Sequence, residues 1–218
     1  MFKPSTELAT MIDAARVAGE GLMGRLRDRK GLAVHVKRRA DFVTEADLES
    51  ERTLRDRLLG AFPAYGMLAE ESAPTDSTAG AGKDRFIVDP LDGTTNFLHG
   101  IPHFAIAIAL ERGGQVLAGL VYDVPKDEMF VADVGRGAWL MAGHAGHAET
   151  GAGEALERLA VSTDRDFSRA LVATGVPHAG SRIPHETYLP MLANVMREAA
   201  GIRRMAAAAL DLAYVSAG

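Results

Sequence analysis

Hydrophobic residues recur at helical spacing near the start of the chain. Residues 5–29 predict one long helix, with Ser5 or Thr6 as its cap. Its apolar positions include Leu8, Met11, Ile12, Ala15, Ala18 and Leu22. A short alternating stretch follows over residues 32–37, and a second helix is predicted to begin at Thr44.

The middle of the chain alternates between apolar and polar positions, which is typical of strands. The strongest pattern is a hairpin, in which residues 104–111 and 115–124 flank a Gly113-Gly114 turn. The other strands predicted here are residues 65–69, 85–88, 127–132 and 137–141.

The last third mixes short strands with helices. Strands are predicted at Leu159–Ser162, 170–174 and 201–205, and helices at 184–200 and 206–217. A loop rich in Gly, Ala and His at residues 142–154 indicates a boundary. We therefore expect an α+β part over 1–145, which carries the chemistry, and an α/β part over 146–218.

Composition narrows the class of protein. Of the 218 residues 47% are hydrophobic, and 24 basic against 29 acidic residues give a net charge of −5, so nothing advertises a nucleic-acid partner. The absence of cysteine excludes disulfides, thiolate metal sites and a cysteine nucleophile. The N-terminus resembles no signal peptide and no apolar run is long enough to span a bilayer, so a cytoplasmic protein is expected.

The sequence VDPLDGTTNF concentrates candidate chemistry at the end of a predicted strand. Asp89 and Asp92 supply hard oxygen ligands suited to Mg²⁺, and Pro90 stiffens the turn between them. Gly93 permits close approach of the backbone, and its amide and that of Thr94 are suited to a phosphate oxygen. A plain turn is the competing interpretation, since Asp-Pro and Asp-Gly are common turn pairs.

Two further acidic segments precede this one. Glu70 and Glu71 follow another short apolar stretch, although adjacent acids usually lie on a solvated surface. Thr44 and Asp47 form a second pair, for which helix capping is the alternative explanation. Three such segments together favour a metal-dependent site over three independent surface features.

The segments DFVTEAD, AEES, VDPLDGTTNFLHGIPHFAIAIAL and GIRRMAAAALDLAYVSAG resemble the inositol monophosphatase family. Their order and spacing match that family across nearly the whole chain. The resemblance implies Mg²⁺-dependent, lithium-sensitive phosphomonoesterases with two or three metal ions. It also implies the sugar-phosphatase fold, a layered α/β/α/β/α sandwich, and commonly a homodimer. Related bisphosphatases and nucleotidases often differ at the position of Thr95.

The resemblance implies roles for individual residues. Glu70, Asp89, Asp92 and the carbonyl of Leu91 correspond to metal ligands, with Asp89 bridging two ions. Thr94 and Asp47 correspond to the catalytic pair that orients and activates the attacking water. The remaining correspondences are Glu71 as an outer acid near an optional third metal, Lys37 near the active site, and Asp92, Gly93, Thr94, Ala206, Ala207 and Ala208 as substrate-binding residues.

The chain also departs from the family pattern. Ala206 stands where many members have Gly, and Ala207 where Ser or Thr is common, which predicts a shifted substrate preference. Members carry a later Trp-Asp motif whose Asp completes the second metal site. The sequence ends at Gly218, before that motif, so we expect this ligand to be missing from residues 1–218.

The expected function is hydrolysis of inositol monophosphate, or of another small phosphorylated polyol or sugar. One alternative is another phosphatase of the superfamily, acting on fructose 1,6-bisphosphate, adenosine bisphosphate or histidinol phosphate. A second alternative is a non-catalytic regulator that binds RNA or RNA polymerase, since some bacterial relatives do so.

Overall fold

Five helices form in the computed structural model, which describes residues 2–28, 34–38, 41–72, 84–142, 155–177 and 183–218. The helices are α1 (Thr6–Arg27), α2 (Glu45–Ala61), α3 (Thr94–His99), α4 (His185–Glu198) and α5 (Ala208–Ala217). A 3₁₀ turn covers Phe167–Arg169.

The strands form one large mixed sheet and two small sheets. They are β1 (Val34–Arg38), β2 (Asp41–Thr44), β3 (Gly66–Ala69), β4 (Arg85–Asp92), β5 (Ala105–Arg112), β6 (Gln115–Asp123), β7 (Glu128–Asp133), β8 (Gly137–Ala142), β9 (Ala155–Arg158), β10 (Leu171–Ala173) and β11 (Gly201–Arg203). In the large sheet β3 to β9 lie in chain order, and only β3 and β4 pair in parallel. This arrangement confirms the predicted mixed α+β class.

Local sequence accounts for where the first two helices begin. The Ser5 hydroxyl accepts a hydrogen bond from the backbone N–H of Leu8 at 3.2 Å, so Ser5 caps α1 as predicted. Thr44 and Asp47 form the predicted capping box at the start of α2. Both helices therefore satisfy their first amide groups with nearby side chains.

The main core lies between the large sheet and the pair of helices α1 and α2. α1 packs on α2 and reaches β5 and β6, while α2 packs on β3 and β4. Phe97 and Phe104 are fully buried and meet edge to face, with ring centroids 5.2 Å apart. Because Phe97 belongs to α3, this packing fixes the helix that follows the DPLDG segment.

Two features differ from the sequence-based expectations. β4 continues through Pro90 to Asp92 instead of ending at Val88. A strand predicted at Leu159–Ser162 is wrong, because the strand lies earlier, at Ala155–Arg158, where it pairs with β8. The predicted division near residue 145 stays a prediction.

None of the helices in the described ranges has the length and apolar character that crossing a bilayer requires.

Candidate active site

The parallel pairing of β3 and β4 brings the first two acids together. Ala69 lies opposite Val88 in this register, so the next residues along the two strands, Glu70 and Asp89, come out at the same end of the sheet. Glu70 is exposed and Asp89 is half-buried. Two residues 19 positions apart in the sequence thus become neighbours through strand pairing alone.

A bulge then turns β4 so that Asp92 also faces this end. Asp89 lies opposite Ala107 and Asp92 opposite Ala105, so three steps along β4 match two steps along β5. Pro90 sits inside the bulge, where its missing N–H costs no sheet hydrogen bond. The backbone N–H of Leu91 donates to Asp89 Oδ1 at 3.1 Å, which holds the turn.

The three acids are electrostatically strained in the absence of a cation. Burial, followed by the charges of Glu70 and Asp92, raises the pKa of Asp89 to about 8. Within the described ranges, no three His, Cys, Asp or Glu side chains are drawn together tightly enough to hold a metal ion. A divalent cation bound between these carboxylates would offset the repulsion that raises this pKa.

The donor set fits Mg²⁺. Glu70, Asp89, Asp92 and the carbonyl of Leu91 offer oxygen atoms only, which is the ligand chemistry that Mg²⁺ selects. The metal-binding roles of these residues stay predictions that the local geometry supports.

Asp47 and Thr94 meet next to these acids. The Thr94 hydroxyl lies 3.0 Å from Asp47 Oδ1 and 3.1 Å from the carbonyl oxygen of Leu91. Asp47 Oδ2 accepts hydrogen bonds from the backbone N–H and hydroxyl of Thr44 at 2.9 and 2.5 Å. Burial raises the pKa of Asp47, while the hydrogen bonds from Thr44 and Thr94 oppose the rise. One carboxylate therefore both caps α2 and binds Thr94.

Gly93 occupies a crossing of three backbone segments. Its φ of +98° is unfavourable for residues with a β-carbon. A β-carbon there would lie 3.1 Å from the carbonyl oxygen of His103, 3.3 Å from that of Ala206 and 3.3 Å from Phe104 Cα. Glycine is thus required at the N-cap of α3, where it lets the segment around Ala206 approach the acids.

Asn96 ties the same segments together. Its side-chain amide donates to the carbonyl oxygens of His103 at 2.7 Å and Met205 at 2.8 Å. Asn96 is buried, and its bond to His103 is shielded from water. Sequence reasoning missed this role, although Asn96 lies within the recognised motif.

The start of α5 is attached to the site through Asp92. Asp92 Oδ2 accepts a hydrogen bond from the backbone N–H of Ala209 at 2.6 Å. Burial raises the pKa of Asp92, and the amides of Ala209 and Ala208 counter that rise. The predicted substrate segment, Ala206 to Ala208, therefore lies beside the acids as the resemblance implies, although its contacts with substrate stay a prediction.

Ala206 adopts a left-handed conformation, with φ of +62°. A β-carbon makes this conformation costly, by about 1–2 kcal/mol. We expect Ala206→Gly to raise the free energy of unfolding by about 1 kcal/mol, measured by urea denaturation. Ala208→Gly, two residues on at the first position of α5, is the matched control and should lower it by about 0.5 kcal/mol. A loss of stability in Ala206→Gly would contradict the strain argument.

A second attachment holds the far end of α5. Asp123 is fully buried at the end of β6, and its Oδ2 accepts a hydrogen bond from the Tyr214 hydroxyl at 2.9 Å. Lys126 Nζ lies 3.2 Å from the same oxygen and 4.6 Å from the centre of the Tyr214 ring. No local pattern in the sequence pointed to this group.

Lys37 and Glu71 are the two remaining predicted site residues. Lys37 belongs to β1, but its side chain lies outside the described residues. Glu71 is half-buried, and its backbone N–H donates to Glu51 Oε2 at 3.0 Å. Its proposed part in a third metal site stays a prediction.

The sequence matches a family of phosphoric monoester hydrolases and relatives named as such enzymes, and the mixed sheet agrees with that class. The chain belongs to the inositol monophosphatase family, whose sequence model matches residues 3–218. The predicted family, fold class and enzyme class are thereby confirmed.

Individual relatives span more than this chain. An inositol-1-monophosphatase of Rhizobium meliloti (strain 1021) is 45% identical over 214 residues, which cover 98% of this chain and 74% of the relative. A Nus factor SuhB of Pseudomonas aeruginosa is 37% identical over 206 residues, covering 94% and 71%. The crystal structure of an extragenic suppressor protein suhB from Bartonella henselae superposes with a TM-score of 0.86 at 42% identity, covering 98% and 76%.

Proposed function

We propose that this chain is a Mg²⁺-dependent phosphatase that hydrolyses inositol monophosphate to inositol and phosphate. The observation that carries the proposal is the Thr94 hydroxyl, held 3.0 Å from a buried Asp47 carboxylate and next to Asp89 and Asp92. The names of similar proteins, which include inositol-1-monophosphatases, support the choice of substrate.

The residues of the chain divide the work by their chemistry. Thr94 donates its hydroxyl hydrogen to Asp47, which leaves lone pairs on its oxygen to accept a hydrogen bond from a water molecule. Because burial raises the pKa of Asp47, this carboxylate is a stronger base than an exposed one. Thr94 thereby orients the attacking water, and as the water attacks, its proton passes to the Thr94 oxygen while the Thr94 hydroxyl proton passes to Asp47.

The other residues hold the cation and the substrate. Glu70, Asp89, Asp92 and the Leu91 carbonyl would bind Mg²⁺, which when bound offsets the charge of the phosphate and acidifies water. The amides of Gly93 and Thr94 would bind phosphate oxygens at the start of α3. Asp92 and residues 206–208 would contact the polyol.

The test is phosphate release from inositol 1-phosphate, titrated with Mg²⁺. We expect Mg²⁺-dependent turnover that falls at least about 10³-fold in Asp89→Asn. Asp56→Asn is the matched control, because Asp56 is exposed on α2 away from the acids. Turnover without a divalent cation, or turnover unchanged by Asp89→Asn, would contradict the proposal.

A substrate panel separates the related phosphatases. Fructose 1,6-bisphosphate, adenosine bisphosphate and histidinol phosphate are assayed beside inositol 1-phosphate. We expect the highest kcat/KM for inositol 1-phosphate. Lithium inhibition, a homodimer and a cytoplasmic location stay predictions of the resemblance.

Similarity to Nus factor SuhB of Pseudomonas aeruginosa supports a second function, which is binding to RNA or RNA polymerase. Such binding is expected to weaken as salt rises and to survive Asp89→Asn, because it does not use the cation site. A pull-down with wild-type and Asp89→Asn chains measures both properties together.

A further inference from the structure

Helix α2 carries a buried polar face that extends beyond Asp47. Asp47, Ser50 and Glu51 stand at positions i, i+3 and i+4, so their side chains project from one side of the helix. Their exposed fractions are only 1%, 3% and 4%. Burying three polar side chains on one helix face is costly unless each has a specific partner.

Each of these side chains binds a different segment of the candidate site. Asp47 binds Thr94 at the start of α3. The Ser50 hydroxyl donates to the carbonyl oxygen of Pro90 at 2.9 Å, inside the bulge between Asp89 and Asp92. Glu51 binds the turn that follows β3.

Glu51 uses both of its carboxylate oxygens to hold the turn that follows β3. Its Oε2 accepts the backbone N–H of Glu71 at 3.0 Å, and its Oε1 accepts a short hydrogen bond from the Ser72 hydroxyl. These bonds fix the two residues directly after Glu70. The conformation of the turn that presents Glu70 to Asp89 is therefore set by a side chain on α2.

Arg55 offsets the negative charge of Glu51, which lies near the acids of the candidate site. Its Nη2 lies 3.1 Å from Glu51 Oε1 and also donates a short hydrogen bond to the Ser72 hydroxyl. The Glu51 carboxylate is thus neutralised on its own helix, and it adds little repulsion to the charge at Asp89.

We propose that Glu51 is a positioning residue, which fixes the turn at residues 70–72 and thereby sets the affinity of the site for its divalent cation. The inference rests on the proposed function, because it assigns Glu51 to the same cation site. Both carboxylate oxygens of Glu51 are engaged by this turn and by Arg55, so its effect on the cation passes through Glu70.

The experiment compares Glu51→Ala with Glu51→Gln by Mn²⁺ binding, measured from the free Mn²⁺ signal in electron paramagnetic resonance. Glu51→Ala removes both acceptors, and we expect Mn²⁺ affinity to fall about 10- to 100-fold. Glu51→Gln keeps an oxygen for the Glu71 amide, so it should recover most of the affinity. The Mg²⁺ concentration for half-maximal phosphate release should shift in parallel.

The matched control is Glu49→Ala on the same helix, where Glu49 pairs with Arg25 and is 43% exposed. We expect it to leave Mn²⁺ affinity unchanged. The melting temperature without metal is recorded for every variant, and Mn²⁺ binding is measured well below the lowest of these temperatures, so a loss of affinity reports on positioning and not on unfolding.

The outcomes separate the two claims. Wild-type Mn²⁺ affinity in Glu51→Ala overturns the role of Glu51 while leaving the phosphatase proposal standing. Equal losses of affinity in Glu49→Ala and Glu51→Ala overturn it too, because the effect would then belong to the helix as a whole. A wild-type chain that binds no Mn²⁺ and releases no phosphate overturns the proposed function, and this inference with it.

Discussion

Replacing Thr94 by alanine is expected to lower kcat by about 10²- to 10⁴-fold, the range typical of losing a group that activates the nucleophile. The hydroxyl of Thr94 is the link between Asp47 and the attacking water, and alanine removes it without disturbing the helix. KM should change little, because the backbone amide of residue 94 remains. Steady-state phosphate release at saturating Mg²⁺ measures both constants.

Two variants sharpen this prediction. Thr94→Ser keeps the hydroxyl and should retain most of the activity. Thr95→Ala alters the neighbouring residue, which is exposed, and should leave kcat unchanged. Equal activity in Thr94→Ala and wild type would show that Asp47 and Thr94 do not act as the catalytic pair.

Asp89→Asn is expected to raise the melting temperature of the metal-free protein at pH 8.5, even though it removes activity. Folding raises the pKa of Asp89 from 3.8 to about 8, so between these pH values the folded chain holds a proton that the unfolded chain has lost. Stability from this group therefore falls as pH rises from about 4 to 8. Asparagine carries no charge and escapes that loss.

Mg²⁺ should stabilise the wild-type chain most at the alkaline pH where the charge on Asp89 destabilises the metal-free protein. A cation favours the charged carboxylate, so the increase in melting temperature caused by Mg²⁺ should be larger at pH 8.5 than at pH 5.5. Asp89→Asn should show little increase at either pH. Calorimetry in chelator and in Mg²⁺ measures all four conditions, with Asp56→Asn as control. A lower metal-free melting temperature for Asp89→Asn at pH 8.5 would refute the repulsion argument.

Local chemistry was enough to predict much of the secondary structure. Ser5 caps α1, Thr44 and Asp47 form the capping box of α2, and Gly113-Gly114, both at positive φ, close the β5–β6 hairpin. Each of these features depends on residues only a few positions apart. Short-range hydrogen bonds and backbone preferences decide them, and the sequence shows both directly.

The pairing between strands set the bounds of β4 and β9, which local sequence patterns did not predict correctly. Proline at position 90 predicted the end of β4, but a bulge accommodates the missing N–H and the strand continues. The strand before Leu159 forms because it meets the edge of β8, although two of its four residues are charged. Such outcomes depend on which surface is available for pairing.

The residues of the candidate site also fall into those that the sequence indicated and those that only the structure revealed. The resemblance indicated the acids and Thr94, because those residues lie within recognised motifs. It gave no indication of Glu51, whose partner Glu71 is 20 residues away, or of Tyr214, whose partner Asp123 is 91 residues away. These contacts arise from packing between elements, which a single sequence does not display.

The hydrogen bond between Asp92 and Ala209 spans 117 residues, and that between Asn96 and Met205 spans 109. Glu70, Asp89 and Asp92 meet through neighbouring strands instead, so a chain synthesised from its N-terminus can gather its acids before Ala209 has left the ribosome. We expect the contacts with α5, which join residues far apart in the sequence, to form later in folding than the pairing of β3 and β4. Until those contacts form, the Asp92 carboxylate lacks the amide of Ala209, so each newly made chain is expected to pass through a stage in which its acids are gathered without a partner from α5.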